Sequence, residues 1–216
     1  MDINTIIYNI AVWTIPVLFA ITVHEVAHGW VANLLGDKTA KMLGRLTLNP
    51  IKHIDPIGTI AVPLAMVALQ TGFVFGWAKP VPVSTRNFKS PRRDMAIVAA
   101  AGPISNLIMA VFWVFIFKLA SSVIPEPAIS QGIMAMGQAG IIINLILFIF
   151  NLFPIPPLDG SKVLAGFLPR PLANLMDKIE PYGLFIVLGL VYFGVLNTIM
   201  QPVLSFFINT IGSLFF

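Results

Sequence analysis

The sequence predicts an all-α membrane protein: a bundle of about four to five transmembrane helices with a re-entrant or β-hairpin-like segment after the first helix. Three observations lead there. The 216 residues are 57% hydrophobic and 10% charged, with a mean hydropathy of +0.90, whereas an average soluble domain carries roughly 25% charged residues. Apolar runs recur at 6–32, 95–123, 133–153 and 183–208, each near or above the roughly 20 residues needed to cross a bilayer. A fifth run, 57–77, is interrupted by Gly58, Pro63, Gly72 and Gly76 and bounded on both sides by basic residues. At this length the expectation is one integral membrane domain over 1–216, with no room for a separate soluble one.

The first run follows an amino terminus that holds Asp2 and no basic residue. It lacks the positive flank of a cleavable signal peptide and reads as a retained helix. The run 57–77 has Lys38, Lys41, Arg45 and Lys52 before it and Lys79, Arg86, Lys89, Arg92 and Arg93 after it. Under the positive-inside rule both flanks belong in the cytoplasm, which fits a re-entrant or hairpin segment better than a simple span. The alternative, a true span, places one basic cluster outside. With the re-entrant layout the first helix enters, the second leaves towards Glu126, the third returns and the last leaves. Of 13 Lys and Arg residues only Lys118 then lies at an outer end. A multi-pass protein of the cell membrane, partnered by the lipid bilayer, is the expectation. The net charge of +4 reports this orientation and gives no reason to expect a nucleic-acid partner.

Inside the first run stands His24-Glu25-Val26-Ala27-His28. A carboxylate at the centre of a membrane helix costs about 2.5–3.5 kcal/mol even on lenient scales, so an ionisable cluster there marks a candidate functional site. Residues four apart on a helix share a face, so the two imidazoles meet at one point, and Glu25 stands beside that point as a general base would. Two histidines on one face with an intervening Glu form a zinc-site pattern. The chain has no cysteine and three histidines, His24, His28 and His53, so any metal is held by His, Asp or Glu. A catalytic zinc normally takes three protein ligands and keeps one position open. Asp159 is the expected third ligand. It ends the stretch 151–159, whose three prolines at 154, 156 and 157 must break a helix, and the orientation above puts it at a similar depth to the histidines. Its alternative is a turn aspartate before Gly160 at the membrane surface.

These residues resemble the site-2 protease family of intramembrane zinc metalloproteases, in a compact prokaryotic form without the PDZ or nucleotide-sensing domains of larger members. The resemblance rests on His24-Glu25-x-x-His28, Gly102-Pro103-Ile104-Ser105-Asn106, and Asn151 through Leu158-Asp159-Gly160, in the family's order. It implies zinc held by His24, His28 and Asp159, Glu25 as catalytic base, and Asn151 in contact with substrate. The implied reaction is hydrolysis of peptide bonds within or near membrane helices, with single-span or hairpin membrane proteins as substrates.

Three further residues are candidates with a structural alternative beside each. The stretch Gly44 to Pro50 alternates polar and apolar residues from Arg45 to Asn49 and ends in proline, which reads as a short edge strand presenting substrate through Thr47, or as a plain loop. His53 either assists at the site, or hydrogen-bonds backbone at the interface. Asn106 either touches substrate or joins helices to each other. Two other functions share the polar cluster: a metal-ion or proton transporter, and a catalytically silent helix-binding relative. Against the first stands the absence of paired broken helices in two matching halves, and against the second the intact Glu25.

Overall fold

The computed structural model describes residues 2–69 and 76–215. Among the described residues four helices are long and apolar enough to cross a membrane: α1 (Ile3–Leu34), α4 (Pro91–Val123), α5 (Pro127–Asn151) and α9 (Val195–Phe215). Between α1 and α4 lie the short helices α2 (Thr39–Met42) and α3 (Val62–Ala68). Between α5 and α9 lie α6 (Asp159–Phe167), α7 (Arg170–Ile179) and α8 (Gly183–Tyr192). The protein is a multi-pass membrane protein.

Cross-helix contacts fix the arrangement. His28 and His24 of α1 bond Val98 and Asn106 of α4, so the two helices run antiparallel. Asn106 bonds Asn144, and Ser130 bonds the Ala120 carbonyl, so α4 and α5 are antiparallel as well. One core cluster joins Ala110 and Val114 of α4, Leu145 of α5 and Ile211 of α9; a second joins Leu158, Val187 and Leu196. The last helix therefore starts beside the end of α5 and finishes beside the carboxy-terminal half of α4. Away from these seams the surface is apolar: Ile104, Ile108, Phe112 and Phe115 form an exposed stripe on α4 at helical spacing, as a lipid-facing surface requires.

Two expectations are corrected. The last span, read as 183–208, divides into α8 and α9 at Gly194, whose φ of +72° is left-handed backbone that an L-residue rarely adopts. The second correction concerns the β-hairpin-like segment with its edge strand at Gly44 to Pro50. Among the described residues there is no strand. The reason lies in where this segment's polar groups go: the Arg45 N–H bonds the Ala40 carbonyl in a turn, the Asn49 N–H bonds the Thr47 hydroxyl, and the Thr47 carbonyl takes the His53 ring. Among the described residues no neighbouring segment pairs with it in a ladder.

The run 57–77 opens on a capped turn. Asp55 accepts the N–H groups of Ile57 and Gly58, and Thr59 Oγ1 accepts the Asp55 N–H. Its two ends meet: the Trp77 N–H bonds the Gly58 carbonyl at 3.1 Å and the Thr59 hydroxyl bonds the Trp77 carbonyl at 2.8 Å. Residues 70–75 of this run, Gly72 included, lie outside the described residues.

Beyond α1, Asp37 ties the returning chain down. Fully buried, its carboxylate accepts the Thr39 N–H and hydroxyl, the Ser84 N–H and the Asn87 amide. Burial pushes this carboxyl up, but those hydrogen bonds outweigh it and hold the group below the usual carboxylate range.

Candidate metal centre

The site is built where α1, α4 and α6 meet. His24 and His28 occupy successive turns of α1, and their Nε2 atoms lie 3.0 Å apart. Asp159 is the first residue of α6. The proline-rich turn after α5 delivers it there, and Ser161 secures the turn by giving both its N–H and its hydroxyl to the Leu158 carbonyl. Asp159 Oδ2 is 3.2 Å from His24 Nε2 and 3.3 Å from His28 Nε2. A carboxylate at a helix amino terminus sits in the favourable field of the unpaired N–H groups.

Each imidazole is oriented from behind. His24 Nδ1 is 2.7 Å from Asn106 Oδ1, and His28 Nδ1 is 2.8 Å from the Val98 carbonyl. Both partners accept, so both Nδ1 atoms carry the proton and both Nε2 atoms turn lone pairs towards Asp159. The Asn106 amide has no freedom to reverse: its Nδ2 donates to the Ala20 carbonyl at 3.2 Å and to Asn144 Oδ1 at 3.0 Å, and Asn144 in turn donates to the Gly140 carbonyl. Asn106 and Asn144 are fully buried.

Three lone-pair atoms then face one another with no hydrogen between them, an arrangement that is repulsive unless a cation joins them. Asp159 Oδ2 is indeed buried without a hydrogen-bond donor. The spacing fits a zinc ion: metal bonds of about 2.0–2.1 Å in a tetrahedron place ligand atoms roughly 3.3–3.4 Å apart, against the 3.0, 3.2 and 3.3 Å found. The three side chains can hold one metal ion. Gly102 of α4 closes the site from the side. A Cβ there would lie 2.4 Å from His28 Nε2 and 2.6 Å from His24 Cε1, so only glycine lets the helix pass so close.

Comparison with known proteins bears on this geometry. The chain matches peptidase family M50 over residues 12–125 and 118–193. The chain belongs to peptidase family M50, the site-2 protease family. Within reach of this M50 chain is "Putative zinc metalloprotease YwhC" of Bacillus subtilis, 41% identical over 88% of this chain and 84% of that protein. "Putative zinc metalloprotease Rip2" of Mycolicibacterium smegmatis is 29% identical over 83% of the chain, and Rip2 of Mycobacterium tuberculosis is also 29% identical over 83%. The M50 chain spans 66% of the length of each of these two. No solved structure matches it. Zinc is the metal this kinship implies.

The structure brings His24, His28 and Asp159 together and places Glu25 on the next position of α1, where its Oε2 accepts the Val81 N–H at 2.7 Å. Asn106 stands behind His24, bonded to its Nδ1. Asn151 ends α5 and gives its amide to the Leu147 carbonyl. His53 is buried, bonded to the Thr47 carbonyl, and among the described residues no hydrogen bond joins it or Thr47 to His24, His28 or Asp159. Sequence reasoning missed Asn144, Val98 and Val81. Asn144 carried a signal, an amide in mid-span four residues after a glycine. The other two act through backbone and leave no mark in side-chain identity.

A cavity of about 840 Å³ lies between α1, α5, α8, α9 and the turn at Gly58. Its walls are Val17 and Ile21 of α1, Gly58 and Thr59, Ile143, Leu147 and Phe150 of α5, and Leu196, Asn197 and Met200 of α9. Val17 and Ile21 precede Glu25 at four-residue steps, so the cavity runs along the helix face that carries Glu25.

Proposed function

We propose that this chain is an intramembrane zinc endopeptidase in which His24, His28 and Asp159 hold the metal and Glu25 is the catalytic base. The observation that carries the reading is the triangle of three lone-pair atoms at the spacing of zinc ligands, with both imidazoles oriented from behind. Zinc held there supplies Lewis-acid chemistry, making water acidic enough to be deprotonated near neutral pH and polarising a carbonyl. Glu25 takes the proton of the attacking water and returns it to the leaving amine. Asn106 and the Val98 carbonyl fix the Nδ1–H tautomer of both imidazoles and keep the rings aimed.

The substrate is a segment of another membrane protein, single-span or hairpin, whose helix must unwind locally before its carbonyls are open to attack. The 840 Å³ cavity is of a size that takes such a segment. Its largely apolar walls match membrane-helix side chains, and Asn151, one residue beyond Phe150, stands at the end of the α5 wall as the substrate contact. We place the protein in the cell membrane with the site towards the cytoplasm. The basic residues flanking 57–77 favour this, and the meeting of that run's ends favours a re-entrant course.

The test is cleavage of a single-span substrate in liposomes. Glu25→Gln is expected to keep about one zinc per chain while turnover falls about 10²- to 10⁴-fold, and a chelator should abolish cleavage reversibly. Native-level cleavage by Glu25→Gln, or ion flux without peptide products, would overturn the reading.

A further inference from the structure

The segment Lys79-Pro80-Val81-Pro82-Val83 has no role in the metal triangle, yet it touches the catalytic helix at one polar point. That point is the 2.7 Å bond from the Val81 N–H to Glu25 Oε2. We infer that this segment is a backbone clamp whose Val81 amide positions the Glu25 carboxylate for proton transfer. The inference rests on Glu25 being the base, as proposed above.

Four observations carry it. First, prolines at 80 and 82 fix their own φ, confine Lys79 and Val81 to extended backbone, and have no N–H. Across 80–82 the Val81 amide is thus the one backbone donor, and its direction is preset before any substrate arrives. Second, the segment is anchored on both sides of Val81. The Lys79 N–H bonds the His53 carbonyl and its own carbonyl accepts Arg45 Nη2, each at 2.9 Å. At the other end the Ser84 N–H bonds Asp37 Oδ2 at 2.7 Å. Third, Val81 is buried and its side chain locks into α1 one turn beyond Glu25. A Cβ at Gly29 would lie 2.7 Å from Val81 Cγ1 and 2.6 Å from Leu46 Cδ2. Sliding the segment along α1 therefore means unseating that side chain. Fourth, the chemistry suits the task. A donor on one carboxylate oxygen fixes the plane of the group and leaves Oε1 for the proton, and a preset dipole needs no rearrangement during the reaction.

The same account gives His53 and Arg45 a purpose. His53 holds the loop at the Thr47 carbonyl through its ring and at Lys79 through its own carbonyl, while Arg45 reaches across to Lys79. They are the hinge pins of the clamp and do not touch the reacting atoms. Val81 acts through Glu25 and is a positioning residue.

The test replaces single backbone N–H groups by ester oxygens in the full-length chain, using α-hydroxyvaline at position 81 and the corresponding hydroxy acid at position 84. Side chains and packing stay as they are. Cleavage of a single-span peptide in liposomes is followed together with zinc content. The Val81 ester should lower kcat about tenfold to a hundredfold with KM within twofold and zinc retained, and the Ser84 ester, which loosens the same loop away from Glu25, should stay within about twofold of native kcat. If the Val81 ester keeps native kcat while Glu25→Gln is inactive, the clamp is wrong and the base assignment stands. If both esters lower kcat and zinc content alike, the loop is scaffold only and the inference fails. Turnover by Glu25→Gln at native rate would remove the base assignment and the clamp with it.

Discussion

Replacing Asn106 by Ala separates orientation of the metal ligands from ligation itself. Asn106 is not one of the proposed ligands, yet its Oδ1 is the acceptor for the His24 ring proton at 2.7 Å, and its amide is pinned by Ala20 and Asn144. The substitution leaves the His24 Nδ1–H facing the buried space that the amide filled, since Asn106 and Asn144 are both fully buried. Loss of such an outer partner typically weakens metal binding about 10- to 100-fold, which at about 1.4 kcal/mol per decade is roughly 1.4–2.8 kcal/mol. Asn144→Ala is the graded comparison. It removes one of two acceptors for the Asn106 amide and leaves the Ala20 carbonyl, so its effect should stay below about fivefold. Zinc competition against a fluorescent chelator in detergent measures both. Native zinc affinity in Asn106→Ala, or a larger loss in Asn144→Ala, would refute the reasoning that the chain of amides acts on His24.

Two other substitutions test separate parts of the fold. Gly102→Ala places a Cβ 2.4 Å from His28 Nε2, so metal analysis should find zinc content well below one per chain with the helices intact by circular dichroism; full occupancy would show that α4 can retreat. Asp37→Asn puts an amide where four donors converge and should cost about 1–3 kcal/mol, read as a lower Tm in detergent. Because the folded carboxyl is held below its usual value, its stabilisation is complete above the unfolded pKa of about 4 and fades as pH falls through the lower folded value. The Tm gap between native and Asp37→Asn chains should therefore close on acidification, and a gap that stays constant would exclude the linkage.

The membrane helices were legible because a bilayer imposes a length and a polarity that few other environments do: the runs at 6–32, 95–123 and 133–153 sit inside α1, α4 and α5 to within a few residues at most ends. The last run was not, because α8 and α9 are both apolar and the break between them is a backbone angle at Gly194. The spacing of His24 and His28 announced a shared face, and the depth argument led to Asp159. What stayed hidden was everything supplied by main chain. The Val98 carbonyl and the Val81 amide exist at any residue, and only the folded path brings them to His28 and Glu25. The alternation at 45–49 misled for the opposite reason: a strand pattern needs a neighbour to pair with, and this segment's polar groups turn back on Ala40, Thr47 and His53 instead.

The proposed ligands are divided between the first membrane helix and the segment after the third. A ribosome feeding this chain into the membrane thus releases both imidazoles long before the carboxylate that completes the set. Until α5 has been inserted and its proline-rich turn has folded back, the emerging polypeptide holds an incomplete metal site. On the proposed ligand set, the hydrolytic site is complete only once α5 and the turn after it are in place.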